Sequence, residues 1–295
     1  MMNKSRYICD MIHLVECPRD AMQGLKEFIP TADKVRYINQ LLKVGFDTLD
    51  FGSFVSEKAI PQMRDTKEVL SQIDLSATKT KLLAIVANTR GAEIASEYEE
   101  ISYLGFPFSI SETFQQRNTN SSIEESLTRV AEIQDICVRA NKKLVVYISM
   151  GFGNPYGDPY SPEIAIHWSN RLHREMGIDI LALSDTIGAA QPALITELFS
   201  ALIPALPNVT FGAHLHTTPD TWHEKVDAAY HAGCRRFDGA LKGLGGCPMA
   251  KDDLTGNMPM ENMVGYFSEK QLIPHIQEGA LFDSLRIATQ VFPEH

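Results

Sequence analysis

A closed (β/α)₈ barrel, the TIM-barrel fold, is what the sequence predicts, and three observations predict it. Short apolar, β-branched runs alternate with longer segments of helical periodicity, and the alternation repeats eight times. Gly45, Gly177 and Gly233 each follow a helical stretch and precede a strand-like run, where a left-handed terminating residue belongs. Reactive side chains gather at the C-terminal ends of the runs, the face that carries chemistry in a barrel. An open doubly wound sheet would give a similar alternation, but the Gly-x-Gly-x-x-Gly turn that would favour it is absent after the first run. With no low-complexity linker, residues 1–295 read as one barrel domain with a C-terminal extension from about 271.

Taken in order, strands are predicted at Tyr7–Val15, Thr48–Phe51, Lys81–Val86, Ile101–Phe108, Leu144–Ser149, Ile180–Ser184, Thr210–His214 and Arg236–Asp238. Helices are predicted near Ala32–Lys43, Ile60–Ser71, Arg90–Tyr98, Ile123–Asn141, Pro162–Met176, Pro192–Ile203, Thr221–Ala232 and Met260–Ser268. Ser122 with Glu125 three residues on has the pattern of a capping box, and Ser161-Pro162 and Gln191-Pro192 put proline in the first helical turn. The apolar residues after Gln271, including Leu281-Phe282, pack either under the barrel or at a dimer interface.

Composition narrows the function. Hydrophobic residues at 44% and charged residues at 22% are ordinary globular usage, so no long disordered region is expected. A net charge of −10 argues against a nucleic-acid partner, whose phosphates require a basic face. The five cysteines are odd in number and include no Cys-x-x-Cys pair, so reduced thiols in a cytoplasmic protein are expected rather than a disulfide framework. The longest apolar runs fall well short of the roughly 18 residues of a membrane helix, and no membrane partner is expected.

His214-Leu215-His216 is the centre of the chemistry. Residues i and i+2 of a strand share a face, so both imidazoles can aim at one divalent cation, although two histidines that merely satisfy polar neighbours have the same spacing. Arg19-Asp20, just past the first strand, adds a carboxylate to complete an N₂O donor set with positions left open, suited to Mg²⁺, Mn²⁺ or Zn²⁺. The arginine beside it offers a planar fork to a carboxylate or enolate oxygen, unless the two form only a surface ion pair. Asp50, Ser111-Glu112, Ser184-Asp185-Thr186 and Asp238 stand at other strand ends. Gly243-Leu-Gly-Gly-Cys-Pro-Met249 permits close backbone approach to a ligand and carries a thiol, Cys247, though a buried inert cysteine is the commoner fate. Asn257 lies just beyond it as a possible fourth oxygen ligand, and the glycine-rich loop 151–158 reads as part of the mouth.

Pro18-Arg19-Asp20, Ser53-Phe-Val-Ser56, Asn120-Ser-Ser-Ile-Glu-Glu-Ser126, Asp185-Thr-Ile-Gly188, His214-Leu-His216, Gly243-Leu-Gly-Gly-Cys-Pro248 and Gly256-Asn257, in that order, make the chain resemble the hydroxymethylglutaryl-CoA lyase family. These enzymes belong to the metal-dependent lyase and Claisen-type synthase barrels with an Arg-Asp signature. The likeness runs from about Tyr7 to Ser268. It implies retro-Claisen cleavage of 3-hydroxy-3-methylglutaryl-CoA to acetyl-CoA and acetoacetate. Asp20, His214, His216 and Asn257 match the metal ligands, and Arg19 the arginine that steadies the thioester enolate. Cys247 matches a proton-transferring loop cysteine, and Asp185 and Asp50 match active-site acids. Arg19, Gln23, Ser149, Thr186, Gly245 and Gly246 match substrate contacts. Mg²⁺ or Mn²⁺, an acyl-CoA substrate and a homodimer are the implied cofactor and partners.

Four positions depart from the family. Val15 stands where a first-strand glutamate is expected, with the acid moved one residue to Glu16 and so to the other face of the strand. Asp50 replaces a longer glutamate, Thr217 an aspartate after the second histidine, and Ala21-Met22-Gln23 a Gly-Leu-Gln. These changes leave two rival readings: the same chemistry on another 3-hydroxy acid or acyl-CoA, including aldol cleavage or condensation, and a barrel that binds metal without turnover.

Overall fold

Eight parallel strands close on themselves in the computed structural model, which describes residues 11–246 and 255–292. The barrel strands are β1 (His13–Glu16), β2 (Thr48–Ser53), β3 (Lys81–Ile85), β4 (Ile101–Ser109), β5 (Lys143–Ser149), β6 (Ile180–Ser184) and β7 (Thr210–His214). A two-residue strand β8 (His216–Thr217) lies outside the barrel, β9 (Arg236–Gly239) closes it against β1, and β10 (Gly256–Asn257) pairs antiparallel with β8. The crossover helices cover the outer face of each strand, and the inner faces are buried against one another in the barrel interior. Leu83, Ile85, Val145, Tyr147, Ile180 and Ala182 pack as a small cluster inside the barrel, apart from the large core between strands and helices.

The start signals act as their chemistry requires. Ser122 and Glu125 form a reciprocal capping box at the helix Ile123–Arg139, and Ser161 caps Pro162–Met176, which ends on left-handed Gly177 at φ 69°.

Three expectations shift. Among the described residues the first strand begins at His13, with Met11 and Ile12 outside it; the earlier part of the predicted run, residues 7–10, lies outside the described residues. The helix predicted over Ile60–Ser71 splits into a 3₁₀ turn at Pro61–Met63 and a helix at Thr66–Gln72. Helices Pro18–Gln23 and Glu112–Thr119 occupy stretches read as loops. The C-terminal stretch forms the helix Glu278–Val291, which packs on Thr31–Leu41 with Phe292 edge-on to Tyr37 at 5.6 Å. Among the described residues no helix is long and apolar enough to cross a membrane, and Cys17, Cys137 and Cys234 are buried free thiols.

Candidate active site

Four chain segments meet at the C-terminal mouth of the barrel. Pro18 opens the helix Pro18–Gln23, where its missing N–H costs nothing, and one turn of helix puts Asp20 beside both Arg19 and Gln23. Asp20 Oδ1 accepts from Arg19 Nη1 and from Gln23 Nε2, each at 2.8 Å. Arg19 turns the rest of its fork onto Asp50 of β2, with Nε 3.1 Å from Oδ2. All three residues are buried, so this is an interior network and not a surface ion pair.

β7 ends at His214 and the chain continues through Leu215 to His216 in β8, which leaves the two rings 5.5 Å apart. The carboxylate of Asp20 and the two imidazoles each offer a donor atom, all within 4.8 Å of one another. Each histidine is fixed from behind through Nδ1: His214 by Asp238 Oδ2 at 3.3 Å, His216 by the Thr186 carbonyl at 3.2 Å. Nε2 of His216 is buried and has no hydrogen-bond partner. An unpaired buried nitrogen costs about 1–3 kcal/mol unless something accepts its lone pair, and a divalent cation held also by Asp20 and His214 fits that need.

Asn257 reaches the site because β10 pairs its residue with His216. Its amide nitrogen donates to Asp20 Oδ2 at 2.8 Å and to the Leu244 carbonyl at 2.7 Å, so in this arrangement it steadies Asp20. Gly245 lies directly against that pair. A Cβ there would come within 2.6 Å of the Asp20 carbonyl oxygen and 2.9 Å of Asn257 Nδ2, and φ is +82°. Cys247 lies outside the described residues.

The charges are set by burial and by one another. Burial opposes ionisation of Asp20, but Arg19 and His214 prevail and hold it down to about 2. Burial pushes Asp50 up, against the pull of Arg19, to about 6. Arg19 sits above its ordinary value because Asp50 and Asp20 outweigh its desolvation. Burial and the neighbouring His214 lower His216 to about 4, whereas Asp238 raises His214 against its own burial. At neutral pH the centre therefore presents an ionised Asp20, a cationic Arg19 and a neutral His216.

These groups open on a cavity of about 330 Å³. Arg19, Asp20, Gln23, Ser149, Thr186, His214, His216 and Gly246 line it, as the strand-end reading expects. Asp185 does not: its flanking residues Ser184 and Thr186 do, while its own carboxylate accepts from Ala190 N and Lys225 Nζ, both at 3.0 Å. Asp50 is likewise covered, by Arg19. Glu16 points out of the barrel, as its shift in register requires; Oε1 accepts from Leu241 N, and burial keeps its carboxyl well above the usual carboxylate range. Val15 takes the inward place, level with Asp238.

Reading by strand ends alone missed Tyr147, Asn118, Val55 and Phe114, which also line the cavity. Tyr147 was within reach of a period-2 argument, since it precedes Ser149 by two residues on β5. Asn118 and Phe114 belong to the unforeseen helix Glu112–Thr119.

A family model described as HMGL-like matches residues 12–290. The chain is 37% identical over 247 residues to the hydroxymethylglutaryl-CoA lyase of Bacillus subtilis, covering 84% of this chain and 81% of that one. It is 32% identical over 276 residues to a 3-hydroxy-3-isohexenylglutaryl-CoA/hydroxymethylglutaryl-CoA lyase of Pseudomonas aeruginosa, covering 92% and 90%. Among solved structures, an HMG-CoA lyase from Acinetobacter baumannii in complex with coenzyme A and 3-methylmalate superposes with a TM-score of 0.86 at 30% identity, covering 99% of this chain and 93% of that one.

Proposed function

The chain belongs to the HMGL-like family, and on that premise we propose that it is a divalent-metal-dependent carbon–carbon lyase that cleaves 3-hydroxy-3-methylglutaryl-CoA to acetyl-CoA and acetoacetate. The observation that carries this reading is the convergence of Asp20, His214 and the unpartnered Nε2 of His216 beside the Arg19 guanidinium. Mg²⁺ or Mn²⁺, with Zn²⁺ also suited to the donor set, would be held by Asp20, His214 and His216, with Asn257 as a candidate fourth ligand, and would supply a Lewis acid for the tertiary hydroxyl and a carbonyl oxygen.

A base takes the tertiary hydroxyl proton as that carbon becomes the acetoacetate carbonyl and the C–C bond breaks, and Arg19 is the residue that meets the negative charge as electrons move onto the thioester oxygen. Its guanidinium is already fixed by Asp50 and Asp20, so no reorganisation is required at that moment. Gln23, Ser149 and Thr186 line the same cavity and supply hydrogen bonds that orient the substrate. Cys247, two residues after Gly245 in the sequence, is the residue that the family resemblance gives the proton delivered to the enolate carbon.

One second reading is the same cleavage on a larger 3-hydroxy-3-alkylglutaryl-CoA. The named substrate of the Pseudomonas relative and the apolar part of the cavity, at Val55, Ala59, Ile60 and Phe114, support it. We also assign the protein to the cytoplasm, on the free thiols Cys17, Cys137 and Cys234, and, by the family resemblance alone, to a homodimer; sedimentation velocity tests the latter.

The test of the reaction is product identity. Purified protein with Mg²⁺ and 3-hydroxy-3-methylglutaryl-CoA should release acetyl-CoA and acetoacetate in equal amounts. Free coenzyme A with the intact acid would instead mean thioester hydrolysis, and no product would turn attention to the larger acyl groups.

A further inference from the structure

One buried cation outside the cavity holds both ends of the hydrogen bond that aims His216. Lys225 projects inward from the helix Trp222–His231 and is 4% exposed. Its three N–H donors are all used: Nζ lies 2.7 Å from the His216 carbonyl oxygen, 3.0 Å from Asp185 Oδ2 and 3.2 Å from the Gly188 carbonyl oxygen. Asp185 and Gly188 bound the turn that contains Thr186, and the Thr186 carbonyl is the acceptor for His216 Nδ1. Asp185 also receives Ala190 N, and Thr186 Oγ1 receives Met150 N, so the turn is tied down on its far sides as well. Lys225 thus fixes the acceptor loop through two bonds and the backbone of the donor residue through the third.

A carbonyl can only accept, so the bond to Thr186 requires the hydrogen on Nδ1 and leaves the lone pair on Nε2, the buried ring nitrogen that has no hydrogen-bond partner, in a residue that lines the cavity. From this we infer that Lys225 is a positioning residue that selects the Nδ1–H tautomer of His216 and so presents Nε2 as a metal donor. No other described side chain touches both His216 and the Asp185–Gly188 turn through hydrogen bonds. The inference rests on His216 as a ligand in its second half only; the tautomer is a property of the metal-free protein.

The test uses the whole chain labelled with ¹⁵N-histidine, in two variants. Lys225→Met removes the donors but strands the Asp185 carboxylate. Lys225→Met with Asp185→Asn removes the stranded charge as well and keeps the shape, so it should fold even if the single variant does not. In the native protein the ¹⁵N spectrum should show His216 protonated on Nδ1 alone. In both variants it should show a mixture of tautomers, and Mn²⁺ affinity should fall at least ten-fold. An unchanged tautomer and unchanged Mn²⁺ affinity in a folded variant, with only a lower melting temperature, would make Lys225 structural and overturn the inference. Native protein that binds no Mn²⁺ would overturn the metal reading, while the tautomer comparison still decides the role of Lys225.

Discussion

Asp238 Oδ2 accepts a hydrogen bond from Nδ1 of His214 at 3.3 Å, and its other oxygen receives Nη1 of Arg236 at 2.8 Å. One carboxylate thereby orients a candidate metal-binding imidazole and neutralises a guanidinium in the barrel interior. Asp238→Asn keeps the shape and removes the charge. Metal affinity should fall about 10–100-fold, as for loss of a carboxylate behind a histidine ligand. Leaving Arg236 buried without its partner should also cost about 3–5 kcal/mol in urea denaturation. Metal affinity within two-fold of native would show that His214 needs no such support.

Arg19→Met should separate binding from chemistry. Its proposed task is in the transition state, so kcat should drop on the order of 10²–10³. Mn²⁺ binding measured by calorimetry should change far less. Equal losses in the two would make Arg19 part of the metal scaffold only.

Gly245→Ala tests how closely the loop must approach the site. The added methyl would press on the backbone of Asp20 at 2.6 Å and of Ala21 at 2.8 Å, in a backbone conformation that favours glycine. Strain of about 1–3 kcal/mol should push the loop off Asp20 and lower kcat/KM at least ten-fold. Full activity would mean that the loop can withdraw without consequence.

His13 at the opposite end of the barrel gives a pH signature unrelated to the site. Its hydrogen bond to Asp47 at 2.9 Å raises its pKa above 6.5, against partial burial. A raised histidine stabilises the fold fully below its unfolded value of about 6.5, and the contribution is lost as pH rises through the folded value. The side chain is 55% exposed, so solvent screening keeps the effect well under about 1 kcal/mol. The stability gap between native protein and His13→Gln should therefore be larger at pH 5.5 than at pH 8.5. An equal gap at both would show that the ion pair contributes nothing.

How far the sequence reaches is seen in particular residues. The barrel was legible because parallel strands and amphipathic helices differ in hydrophobic period, and the glycines between them mark the turns. Arg19, Asp20, His214 and His216 were legible because strand ends are fixed points of that frame. Asn257 enters through the two-residue pairing of β8 and β10, too short to leave a pattern. Asp185 illustrates the limit of strand-end reasoning: β6 stops at Ser184, and in the turn beyond it Thr186 lines the cavity while the Asp185 carboxylate goes to Lys225. Lys225 itself looks like any helical lysine, because burial is a property of the packed molecule.

The measurement closest to the central claim is reactivation of chelator-stripped protein, following acetoacetate release from 3-hydroxy-3-methylglutaryl-CoA as Mg²⁺ or Mn²⁺ is added back. The predicted result is loss of turnover on stripping and recovery that saturates at one metal per chain, with His214→Ala requiring at least ten-fold more metal, on the order of 1.4 kcal/mol. Undiminished turnover by the stripped protein would contradict it.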